Sequence, residues 1–70
     1  MNRPDVGDVV RLPGWLPDPP YRVLGVRDPG IDGHLWLDGY LIEDTGITVA
    51  SYLVPVNRLR PLPDPTWDQA

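Results

Sequence analysis

The chain has 70 residues, enough for one domain, and contains ten prolines but no cysteine, so disulfides and thiolate metal sites are excluded and stability must come from packing, turn chemistry or a partner subunit. The net charge is −4 and every cation is arginine, a balance that argues against a nucleic-acid binder, which normally carries a basic footprint. No apolar run approaches a membrane span, and Met1-Asn2-Arg3-Pro4-Asp5 has no signal-peptide pattern; the expected compartment is the cytoplasm.

Taken in chain order, short apolar runs between turn residues predict five strands and an all-β fold. The first is Asp8–Leu12, launched by Gly7. The second, Tyr21–Arg27, is entered through Pro19-Pro20 and closed by Asp28-Pro29-Gly30, where Pro and then Gly suit a type II turn. The third is His34–Ile42. The fourth, Ile47–Leu53, follows Glu43-Asp44-Thr45-Gly46, which reads as a hairpin turn with Gly46 at the left-handed position. Arg58–Pro61 is a short fifth strand, with Pro61 suited to its end or to an edge.

Asp38-Gly39 interrupts the third strand and reads in two ways. As a hairpin turn it would split the third strand into two of about three residues each, at the short limit of usable strands. As a bend in one strand it supplies the corner that a small closed sheet needs, and this reading is favoured. Alternation then puts Leu35, Leu37 and Leu41 on one face of the third strand. It assigns Val49 and Leu53 to the core with them, together with Val10, Leu12, Val23, Val26 and Leu59. Trp36, Tyr40 and Tyr52 are expected on the opposite face.

Three features carry a resemblance: Trp36 opening a strand, Thr45-Gly46 at a tight turn, and Pro55-Val56-Asn57 before the last strand. They resemble the second half of an SH3 domain, and Pro55-Val56-Asn57 is similar to the Pro-Ser-Asn-Tyr turn of its peptide-binding members. Gly7-Asp8-Val9-Val10-Arg11-Leu12 looks like the first strand of bacterial SH3-like and KOW-type barrels. The resemblance implies a five-stranded SH3-like barrel over residues 5–62, with a proline-rich loop and a proline-containing tail over residues 63–70. Arg58 stands where the peptide-binding members have their groove tyrosine, so the resemblance does not imply a polyproline groove.

The candidate binding residues are Trp15, Tyr21, Trp36, Tyr40 and Tyr52, with Pro55 and Asn57, because large rigid aromatics dominate protein interfaces. The competing reading has them covering the open ends of a thin core. Arg58 and Arg60 are candidate phosphate contacts, which Arg11, Arg22 and Arg27 would join if all lay on one face. Leu16-Pro17-Asp18-Pro19 recurs as Leu62-Pro63-Asp64-Pro65, and either could lie along an aromatic surface as polyproline II. Asp28, Asp32, Asp38, Glu43 and Asp44 concentrate acid, but an EF-hand count from Asp28 meets Gly39 where glutamate is required; solvated turn carboxylates are the expectation. Ser51 and His34 are the lone serine and histidine, the serine lacks a Gly-x-Ser-x-Gly context, and no phosphate loop or dinucleotide fingerprint is present.

These features lead to a small non-enzymatic protein-interaction or assembly module, without metal or cofactor, that docks on a protein or on itself through its aromatic and proline surface. The alternatives are a nucleic-acid-associated accessory factor of KOW or Tudor-like type, and a structural subunit of a phage or other large assembly.

Overall fold

The computed structural model describes residues 3–63. Five antiparallel strands form one sheet: β1 (Val9–Arg11), β2 (Tyr21–Arg27), β3 (His34–Glu43), β4 (Gly46–Pro55) and β5 (Arg60–Leu62). Their order is β4-β3-β2-β1-β5, so the last strand returns to lie beside the first. A 3₁₀ turn, Val56–Arg58, joins β4 to β5. The final strand therefore begins two residues later than Arg58, because Val56, Asn57 and Arg58 are coiled in that turn and its first carbonyl accepts from the Leu59 N–H at 3.1 Å. All of the expected tail except Pro63 lies outside the described residues, as does the Leu-Pro-Asp-Pro repeat beyond Pro63.

The turns follow their sequences. Gly30 has φ of 75°, and its N–H donates to the Asp28 carboxylate at 2.8 Å. Asp44-Thr45 makes a two-residue loop, because Glu43 pairs directly with Gly46. Asp38-Gly39 is no hairpin: β3 runs through it unbroken and pairs with β4 along its whole length. Glycine is required there by space. A Cβ on Gly39 would lie 2.0 Å from the carbonyl oxygen of Arg22 and 3.0 Å from the ring of Tyr21.

Beside Gly39, β2 carries a bulge. Val23 pairs with Gly39 and Gly25 with Asp38, so Leu24 is an extra residue in β2. One extra residue reverses which positions face inward. Tyr21 and Val23 face the core before the bulge, and Val26, opposite Leu37, faces it afterwards. Arg22 and Arg27 consequently both share the outer face.

The core is Val10, Leu12, Tyr21, Val23, Leu35, Leu37, Leu41, Val54 and Leu59. Three expected members are absent and two are added. Val26 is only partly buried, packed against the cluster. Val49 is 77% exposed and Leu53 37%, whereas Tyr21 and Val54 are fully buried. The cause is register. With Glu43 opposite Gly46, odd-numbered residues of β3 oppose even-numbered residues of β4: Leu35 faces Val54 and Leu37 faces Tyr52. Directly opposed residues share a face, so Ile47, Val49, Ser51 and Leu53 point outward.

Candidate functional site

The anticipated aromatic set separates into distinct places. Tyr21 is interior: its ring is 0% exposed, meets Tyr52 edge-on at 5.7 Å between centroids, and cannot touch a partner. Its hydroxyl donates toward the carbonyls of Ala50 (2.6 Å) and Leu37 (3.1 Å), tying β2 to β4 and β3. Burial, followed by the Asp38 and Tyr52 charges, raises its pKa well above the usual phenol value. Tyr52 is half-buried on this inner face, in place of the outer one expected for it.

Trp36 and Tyr40 do lie on the outer face, where the pairing register arranges rows across β2, β3 and β4. Arg27, Trp36 and Leu53 form one row, Gly25, Asp38 and Ser51 the next, and Arg22, Tyr40 and Val49 a third. The middle row is polar and internally matched. Arg27 donates to Asp38 through Nε at 2.7 Å and Nη2 at 2.8 Å, a bidentate fork, and Ser51 Oγ donates to the same carboxylate at 2.7 Å. These hydrogen bonds, Arg27's first, hold the Asp38 carboxyl below its ordinary range. The Arg27 guanidinium also lies 5.6 Å from the centre of the Trp36 ring, within cation–π range.

Around that paired centre the surface is apolar. Ile47 (57% exposed), Val49 and Leu53 stand on β4 beside the half-buried Trp36 and Tyr40. Among the described residues β4 pairs only with β3, leaving its other edge unpaired. All ten residues of that strand, Gly46–Pro55, are uncharged. Exposed edge strands are usually blunted by charges, short length or bulges, and this one has only the terminal Pro55.

The remaining candidates lie around the 3₁₀ turn. Pro55 and Asn57 line a hollow of about 350 Å³ with Asp32, Gly33 and His34, whose loop is held by the Val56 N–H donating to the Gly33 carbonyl at 2.8 Å. On the other side of the turn, Asn57, Arg58 and Arg60 share a groove of about 590 Å³ with Arg11, Asp18 and Trp15. Trp15 is 63% exposed in the β1–β2 connection. The arginines are thus divided: Arg22 and Arg27 belong to the outer face, while Arg11 joins Arg58 and Arg60. Arg22 donates to the Gly7 carbonyl at 2.9 Å.

The acidic residues are dispersed among turns and pairings, and among the described residues no three metal-ligating side chains gather. Asp28 closes its own turn, Asp38 is held by Arg27 and Ser51, and Glu43 accepts from Thr48 at 2.5 Å. Ser51 is committed to Asp38, whereas His34, opposite Pro55 at the start of β3, contacts the Asp32 carbonyl at 2.8 Å.

Val49 and Leu53 were expected in the core, not at a surface. The two-residue Asp44-Thr45 turn held the clue, since it places Ile42 opposite Ile47 and hence on the face of Trp36 and Tyr40. No helix among the described residues is long and apolar enough to cross a membrane. No protein-family model, curated protein or solved structure matches the chain.

Proposed function

We propose that this protein is a non-enzymatic protein-interaction module of SH3-like barrel architecture, docking a protein partner on the outer face and free edge of β4. The strand order β4-β3-β2-β1-β5 and the 3₁₀ turn on Pro55-Val56-Asn57 support the barrel reading. The observation that carries the function is the uncharged ten-residue edge strand with Ile47, Val49 and Leu53 exposed beside Trp36 and Tyr40. A marginal domain of this size gains nothing from leaving such side chains in water. The Arg27–Asp38–Ser51 group at its centre is already satisfied, so covering it leaves no unpaired charge. Strand addition along β4 would supply main-chain hydrogen bonds, and the alternate outward side chains would supply specificity.

Val49→Lys tests this reading. Because Val49 is exposed, the substitution should change folding stability by no more than about 0.5 kcal/mol, while a charge on the edge should abolish association. Sedimentation of the wild-type chain, and retention of protein from native lysate on immobilised wild-type and V49K chains, give the readout. A wild-type chain that stays monomeric and retains nothing that V49K fails to retain would refute the proposal.

A further inference from the structure

The groove between the β1–β2 connection and the 3₁₀ turn has a charge arrangement that the fold does not need. Arg11 in β1 and Arg60 in β5 are direct cross-strand partners, and like charges placed opposite one another destabilise a strand pair. Arg58 adds a third guanidinium to the same wall. Among the described residues the sole carboxylate lining the groove is Asp18, whose Oδ1 lies 3.5 Å from Arg11 Nη1, beyond the 2.7–2.9 Å of a good charge-assisted bond. Among the described residues Arg58 and Arg60 have no carboxylate partner. Trp15 stands exposed at the rim, and the Asn57 side-chain amide is also exposed.

We infer that this groove is an anion-recognising site whose occupant is an acidic, extended peptide segment. Guanidinium forks match carboxylates bidentately, and carboxylates at alternate positions of an extended peptide fall on one side of it. Such a segment would place its charges against Arg11, Arg58 and Arg60 and an apolar residue or proline against the Trp15 indole. The overall charge decides between peptide and nucleic acid. The chain is −4 in total, so the three arginines form a local exception on an acidic molecule. A polyanion extending past the groove meets that negative field, whereas a short peptide confines its carboxylates to the arginines. This site is separate from the β4 face and does not depend on it.

The test is an NMR titration at low salt with a blocked peptide of alternating glutamate and proline. A glutamine–proline peptide and a short oligothymidylate serve as comparisons. The glutamate peptide should shift the Arg11, Arg58 and Arg60 Nε–H signals and the Trp15 indole saturably, leaving Arg27 and the Trp36 indole unmoved. Added salt should weaken binding, and Arg60→Glu should weaken it tenfold or more. Without peptide, the same substitution should raise the melting temperature, because it replaces the Arg11–Arg60 opposition with an ion pair; that rise separates lost binding from lost folding. The inference is overturned if the glutamate peptide gives no saturable shift, if the glutamine peptide matches it, if R60E binds as wild type, or if the oligothymidylate binds more tightly.

Discussion

The phenol of Tyr21 belongs to β2 by its backbone, but its hydroxyl reaches the Leu37 carbonyl of β3 and the Ala50 carbonyl of β4. In a chain without disulfides, this one side chain bridges three strands. Removing the hydroxyl leaves its buried acceptors short of a donor, so Tyr21→Phe should cost about 1–2 kcal/mol, read from urea denaturation. The ring contact with Tyr52 should survive. The same burial sets a pH dependence. The folded pKa is raised, so the contribution is complete below the unfolded phenol value of about 10. It is lost as pH rises from there through the folded value, because the unfolded chain ionises first. Alkaline denaturation should therefore begin above about pH 10 and be shallower in Y21F; equal slopes would show that Tyr21 is not the group responsible.

Gly39 and the Leu24 bulge lie side by side at the level of the element, because the β2 backbone just before the bulge occupies the space a side chain at Gly39 would need. Gly39→Ala puts a methyl group against a backbone carbonyl, which cannot rotate away as a side chain can. Its cost should reach or exceed the ~3 kcal/mol upper end of ordinary overpacking, whereas Gly14→Ala, with open space around it, should cost little. Comparable losses at the two glycines would mean that close approach is not what Gly39 serves. Much of this was legible in the residues. Pro29-Gly30 and Thr45-Gly46 announced their turns, β2 was bounded as expected, and Asp38-Gly39 lies within one continuous strand, as the favoured reading has it. The faces of β4 were harder to read, since alternation gives two faces without saying which is inward; only the residue count of the turn decides. The bulge had one local signal, Gly25 within the strand, but its consequence for the faces of β2 follows only once the register with β3 is known. The groove was half legible: Arg58 and Arg60 stood out by alternation, but Arg11 joins them only through the β1–β5 pairing.

That pairing also governs the whole molecule, because it brings opposite ends of the described chain together through two three-residue strands. Seventy residues support a total stability of roughly 4–10 kcal/mol, so the closure cannot be a loose accessory. Leu59, just before β5, is buried within the same core cluster as Val10, Leu12 and Leu37. Leu59→Ala should cost about 2–4 kcal/mol through lost burial and the cavity left behind, a large share of the total. If the sheet is one cooperative unit, the urea midpoint should fall while the slope of the transition stays unchanged. The indole signals of Trp15, beside the closing strands, and Trp36, on β3, should then disappear together. A transition in which the Trp15 signal is lost while Trp36 keeps its native shift would instead show that β2, β3 and β4 stand alone. In that case the β4 face would remain presentable to a partner after the arginine groove had come apart, and the two surfaces would be separable in folding as they are in position.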